Sequence, residues 1–566
     1  MKAKISVAMN FILIILLSVS VFFLWQINEK YQRLSLTLLN PEEGQHRTFV
    51  QGQWLEGKNF IVEDERVFLS LSAFEAAIDS EVTLSGTGQR IYVKVANIRH
   101  DFEDEMLTQY IEANLNDINI PLLYRESVAY LDMELIERLY PVSHHYFAES
   151  DNLIVFSNEG IRRGRISPQT DKYQMVNAEY FKTDTSANEE NLWILTSEAS
   201  ERDTSYYEAV DETGKIVYIK RGKVSDLGAV TVEQSEFKSV ESKVAQPFSL
   251  TFEVIDRYED NFKKSKTAFD EGIHVVSPTW FNLNIEGIVI NSADYNYVRT
   301  AKHQGVTVWG LFKNNFDPKW TESLVNSEAF TKKAVAQMLL YSAIYDLDGI
   351  NIDFENVYLK DQRALTAFVT ELSSAGSRHG LTLSMDVTRP KGSDTWSKVY
   401  DRSALAKQVD YMVLMAYDEH WGSSPISGSV ASMGWTEDSI TMSLEEIPRD
   451  KLVLGIPLYM RVWHETPVSG NKYKKVGSQA ITLAAYDKLR DEKNLSPVYD
   501  SDSGQYYTEY FEGKDKYRIW IEDESALLKR LNMMDDYNLP GVATWRRGFE
   551  RNDTFTVIFE ALKLKK

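Results

Sequence analysis

From Pro247 to the end of the chain, short apolar runs of strand length alternate with longer amphipathic stretches, and this alternation restricts the possible folds more than any other feature. The runs are Leu250–Ile255, Ile273–Thr279, Val306–Phe312, Gly349–Glu355, Leu381–Val387, Tyr411–Tyr417, Leu452–Pro457 and Gly541–Trp545. Continuously apolar strands are those buried on both faces, as in a parallel sheet, and Ser327–Tyr345 and Gln362–Arg378 between them have helical spacing. Eight such units predict an α/β fold, a closed (β/α)8 TIM barrel over 247–566. A doubly wound sheet is the alternative, but no glycine-rich phosphate loop follows any strand. The segment at about 464–523 is longer than a βα connection needs and holds its own extended run, Tyr517–Ile521, so it is expected to be a small α+β insertion beside the cleft.

A chain of 566 residues is too long for a single core, so further units are expected ahead of the barrel. Residues 1–25 are expected to form a membrane anchor: Ile5–Trp25 is apolar apart from Ser6, Asn10, Ser18 and Ser20, and Lys2 and Lys4 precede it. No small-x-small cleavage site follows, so the expected location is the cell membrane, single-pass with the later domains outside; secretion after signal cleavage is the alternative. Residues 26–60 read as a stalk. Val67–Ile78 followed by Arg90–Val95, and Val128–Leu139 followed by Asn152–Ser157, share a strand, helix and hairpin pattern about sixty residues apart. Over 61–160 this resembles the paired repeat of copper amine oxidase N-terminal-like domains, a name that implies no copper here. Alternating strands over 161–228 end in the hairpin Tyr206–Ile219, turning at Gly214, and resemble a bacterial SH3-like module, whether wall-binding or a plain spacer. Residues 229–246 read as a linker.

A formal charge of −21 and the lack of any basic stripe exclude nucleic acid as an expected partner. With no cysteine there are no disulfides, thiolate metal sites or cysteine nucleophiles, and the nine histidines lack ligand spacing, so neither a metal nor another cofactor is expected.

Polar residues become informative at the carboxyl ends of the strands, where barrels of this kind carry their chemistry. In the fourth run Asn351, Asp353 and Glu355 alternate, which puts them on one inward face at about 6.6 Å spacing. Two neighbouring buried carboxylates push their pKa values apart, so that one stays protonated near neutrality.

Asp348-Gly-Ile-Asn-Ile-Asp-Phe-Glu355 resembles the signature DxxDxDxE of glycoside hydrolase family 18, with Asn351 at one acidic position. Met415-Ala-Tyr417-Asp418 resembles its MxYD, Gly455–Arg461 its seventh-strand segment, and Gly541–Trp545 its final strand; Val276–Phe281 also agrees. The likeness spans 247–566 and is greatest to the branch of cell-wall and spore-cortex N-acetylglucosaminidases. It implies cleavage of β-1,4-linked N-acetylglucosamine glycans, peptidoglycan or chitin, with no enzyme nucleophile, because the substrate's 2-acetamido oxygen attacks the anomeric carbon. It implies Glu355 as the acid, Asp353 as the group that orients the acetamido group, and Tyr417 as a donor to its oxygen. Asn351 and Asp348 would support them. Trp545 would floor the sugar site, with Asp418, Met415, Arg461 and Trp280 in the cleft. Both tryptophans also fit a core role, and Arg461 that of a partner to a barrel carboxylate.

Asn351 is the departure from the pattern. An amide there is expected to donate to Asp353 and make it more acidic, leaving an active enzyme whose pH profile is governed mainly by Glu355. The rival readings are a chitin-oligosaccharide hydrolase, a barrel that binds wall glycan without cutting it, and a structural or adhesive chain in which the barrel is a spacer.

Overall fold

The computed structural model describes residues 19–26, 47–55, 57, 59–98, 118–158, 160–176, 179–195, 205–232, 244–468 and 472–563. Contacts divide the chain into one unit of residues 1–81 and 122–234 and another of 82–121 and 235–566.

In the first unit, Phe60–Glu63, Arg66–Ser70, Val128–Asp132 and Leu123–Arg125 form a four-stranded antiparallel sheet. Two short helices, Leu71–Ala77 and Met133–Leu139, each follow a strand of that sheet and are capped by the side chains of Ser70 and Asp132. Asn152–Phe156 runs parallel to Arg47–Val50 in a second sheet. Seven antiparallel strands between Ile161 and Ala229 form a third. There Tyr206–Val210 pairs with Ile216–Lys220 across a turn where Gly214 has φ +83°.

In the second unit eight strands close into a parallel barrel: β1 Phe248–Glu253, β2 Val275–Pro278, β3 Thr307–Lys313, β4 Gly349–Asp353, β5 Thr382–Thr388, β6 Tyr411–Met415, β7 Leu452–Pro457 and β8 Gly541–Trp545. Each pairs in parallel with the next, and β8 pairs back to β1. Rings fill the amino-terminal half of the barrel, with Trp309 stacked on Tyr411 at 5.7 Å and Phe248 edge-on to Tyr411 at 5.0 Å. Gly349 admits this packing, since a Cβ there would lie 2.6 Å from Trp309 Cδ1. Polar inward positions are thereby confined to the carboxyl ends. After β7 the chain makes a five-stranded antiparallel sheet from Tyr459–Val468, Lys472–Thr482, Val498–Asp500, Gln505–Glu512 and Asp515–Ile521, with a helix at Leu483–Lys493.

A three-stranded sheet of Thr83–Leu84, Arg90–Val93 and Ile118–Pro121 packs with the barrel unit rather than with the rest of 61–160. The backbone N–H of Asn119 donates to Tyr345 Oη at 3.0 Å, and the Arg90 guanidinium lies 3.9 Å from the Tyr258 ring centre.

The expected membrane location is corrected. Among the described residues no helix is long and apolar enough to cross a membrane. The described helical residues 19–26 rise about 12 Å. The rest of the expected anchor, residues 1–18, most of the stalk (27–46) and linker residues 233–243 lie outside the described residues.

Candidate active site

Glu355 stands just past β4, and its peptide is held from two sides. Asn314, following β3, accepts from Glu355 N–H through Oδ1 at 3.1 Å and donates through Nδ2 to Glu355 O at 2.7 Å. The same Nδ2 donates to Thr321 Oγ1, which fixes the amide's orientation. From the β5 side, Tyr400 Oη donates to Phe354 O at 2.8 Å. With both flanking carbonyls bonded, the backbone carrying Glu355 has little freedom to turn. The sequence offered no sign of either clamp, because both residues lie in connections.

Below Glu355 the inward residues of β4 and β5 are polar. Asn351 donates through Nδ2 to Asp386 Oδ2 at 2.8 Å and accepts from Ser384 Oγ at 2.5 Å. The expected donation from Asn351 to Asp353 is therefore corrected, since the hydrogen bonds of the amide go to β5. Asp353 is not made more acidic either: burial pushes its carboxyl up to about 6, with the Lys313 ammonium opposing. Burial, then Asp353, push Asp386 well above the carboxylate range against the Asn351 hydrogen bond. Glu355 is also pushed well up, by burial first and then by Asp353, Asp386 and Asp418. Asp386 is the site residue missed at the sequence level. Its signal was there, because Ser384 and Asp386 alternate on β5 as Asn351 and Asp353 do on β4.

Tyr417 follows β6, half-buried, its ring edge-on to Tyr459 at 6.5 Å. Burial, then Asp386, Tyr459, Glu355 and Asp353, hold its phenol protonated. Asp418, with φ +59°, accepts from Tyr459 Oη at 2.5 Å. Met415 ends β6 and Trp545 ends β8, where the indole lies 5.4 Å from Phe252. Arg461 donates to Ser478 Oγ at 3.3 Å, and its guanidinium lies against Gly422. Further bonds join this insertion and the helix Glu524–Asp536 behind it to the loop after β6: Trp463 Nε1 to Gly428 O, Ser429 Oγ to Gln505 Oε1, and Arg530 Nη2 to Ala431 O.

Two expected site residues lie elsewhere. Trp280 is 0% exposed, bonds Asn261 Oδ1 through its indole N–H and packs edge-on to Tyr297, so it is core and offers no face to a ligand. Asp348 precedes β4 at the barrel's amino end, where it accepts from Val308 N–H and pairs with Lys302. Two exposed rings stand near Glu355 instead: Phe316 (53% exposed) and Trp396 (40%), 6.1 Å apart, with Asn356 donating to Phe316 O. Among the described residues no group of three or more His, Cys, Asp or Glu could hold a metal ion.

The model of glycosyl hydrolases family 18 matches residues 281–550. The uncharacterized glycosylase YvbX of Bacillus subtilis (strain 168) is 25% identical over 314 residues, covering 53% of this chain and 88% of that protein. The cortical fragment-lytic enzyme of the same organism is 28% identical over 265 residues, 44% of this chain; the match spans only 60% of that relative's length. The spore cortex-lytic enzyme SleL of Bacillus cereus superposes with a TM-score of 0.50 at 18% identity, over 57% of this chain and 75% of that one, a likeness of fold.

Proposed function

The chain carries a glycosyl hydrolase family 18 domain and is a chitinase-like glycoside hydrolase, and from that premise we propose that it cleaves β-1,4-linked N-acetylglucosamine glycan, peptidoglycan in particular, by substrate-assisted catalysis with retention. The observation that carries the reading is the setting of Glu355: at the mouth of the barrel, burial and then three nearby aspartates push its carboxyl well above the usual carboxylate range, the direction a general acid requires. Glu355 gives its proton to the glycosidic oxygen as the C1–O bond breaks. The acetamido carbonyl oxygen bonds to C1 from the opposite face, which makes an oxazolinium ion. Asp353 accepts from the acetamido N–H and stabilises that positive charge, and Tyr417 donates to the attacking oxygen. Water then adds to C1 from the leaving-group side, with the Glu355 carboxylate taking its proton, and the double inversion gives retention. Trp545 offers an apolar face to the sugar's C–H side, and Phe316 and Trp396 offer further rings along the glycan. Asp418 and Met415 border the sugar site, while Arg461 steadies the loop that carries Asp418. Likeness to an enzyme named for lysing cortical fragments supports peptidoglycan over chitin.

The test is reducing-end release by the full chain from intact peptidoglycan, de-N-acetylated peptidoglycan and chitin oligomers. The wild type should cleave the intact polymer faster than chitin and spare the de-N-acetylated one. Glu355→Gln should lower kcat by about 10²–10⁴-fold with binding kept. Equal cleavage with and without the acetamido group would refute the mechanism.

A further inference from the structure

Two buried carboxylates on adjacent barrel strands each present an oxygen with no hydrogen-bond partner: Asp353 Oδ1 on β4 and Asp386 Oδ1 on β5. The residues are only 8% and 2% exposed, so the two atoms are shielded from bulk solvent. Asn351 makes no hydrogen bond to them: its oxygen accepts from the Ser384 hydroxyl and its Nδ2 donates to the other oxygen of Asp386, so the amide faces β5. A buried carboxylate oxygen without a donor is costly, and two side by side add charge repulsion. A single proton removes both penalties: carried by one carboxyl, it makes a donor for the other and leaves the pair with one negative charge.

We infer that Asp386 is a positioning residue that exchanges one proton with Asp353 during the reaction, Asn351 serving to hold Asp386 in place. This rests on the role proposed above for Asp353. The acid absent from position 351 thus stands one strand over, at 386, and the amide takes the anchoring place. In the exchange an O–H bond of Asp353 breaks and one of Asp386 forms, the pair keeping one proton and one charge throughout. With the proton on Asp386, Asp353 is a full carboxylate when the oxazolinium charge develops. With the proton on Asp353, that charge moves away from the acetamido group before product leaves. The groups bearing on the pair are Glu355 beyond β4, itself acted on by Asp418, Tyr400 after β5, Tyr417 after β6, and Lys313 at the end of β3, the cation that acts on Asp353. They give the proton the same bias, since burial raises both acids, Asp353 raises Asp386 further, and only Lys313 and the Asn351 amide oppose.

Two measurements on the full chain test this. In kinetics, Asp386→Asn should lower kcat by about tenfold or more with KM little changed, and should move the acidic limb of the profile to lower pH because Asp353 loses its neighbouring acid. Adding Asn351→Asp to Asp386→Asn should recover most of kcat, since the acid and amide are then transposed. In infrared difference spectra at pH 7, on a Glu355→Gln background that removes the other proton carrier, the protonated-carboxyl stretch should disappear on adding Asp386→Asn. An unaltered kcat and acidic limb in Asp386→Asn, or no such band in the difference spectrum, overturns the inference. A chain that shows the band yet cleaves no glycan keeps the shared proton and counts against the proposed function alone.

Discussion

Replacing Asp353 with Asn should stabilise the barrel at pH 8 and leave it unchanged near pH 3.5. Burial raises this carboxyl from 3.8 to about 6, and each unit is about 1.4 kcal/mol between protonation states, so its charge costs the folded barrel about 3 kcal/mol once fully ionised. Because the folded value lies above the unfolded one, the folded chain binds the extra proton. Stability is complete below about 4, where both states are protonated, and is lost as the pH rises through about 6. The amide keeps the shape without the charge and so escapes the loss. For a domain of this size, about 3 kcal/mol is roughly 5 °C or more in the melting temperature of the barrel transition. Calorimetry of wild type and variant at pH 3.5 and pH 8 measures it. Equal melting temperatures at pH 8, or a gain as large at pH 3.5, would refute the reasoning.

Lys313→Met removes the cation that opposes burial at Asp353, so the acidic limb of kcat/KM should move to higher pH; a limb that stays in place or moves down would show that the ammonium does not act on this carboxyl. Trp280→Phe breaks the indole bond to buried Asn261 and should cost about 1–3 kcal/mol in chemical denaturation, with KM for glycan unchanged. A tenfold rise in KM would return Trp280 to the cleft.

The barrel was legible because its strands are buried on both faces and therefore read as unbroken apolar runs: all eight barrel strands lie at the runs read from sequence, within about two residues at each end. The acidic tip of β4 was legible from its alternation. Asp386 was not weighed, since one aspartate in an otherwise apolar run looks incidental until the neighbouring strand is laid beside it. Sequence could not show that Asn351 turns towards β5, because that choice is made by the Ser384 hydroxyl, thirty-three residues on. Asp348 shared a motif with Glu355 but not an end of the strand, and the rigid spacing of a β-strand separates the two across the barrel. Trp280 looked like a cleft residue by position alone, and its partner Asn261 sits in a short helix nineteen residues earlier in the chain.

The bonds between the insertion, its supporting helix and the loop after β6 have a consequence for engineering. Tyr459, Trp463, Gln505 and Arg530 all fasten to the stretch between Asp418 and Ala431. A side wall transplanted from a related enzyme to alter glycan choice would arrive without its fastenings unless that loop travelled with it. The transferable cassette is thus discontinuous, two pieces of chain separated by β7, and a graft that ignores the first piece would free Asp418 from Tyr459 and so retune the acid it faces.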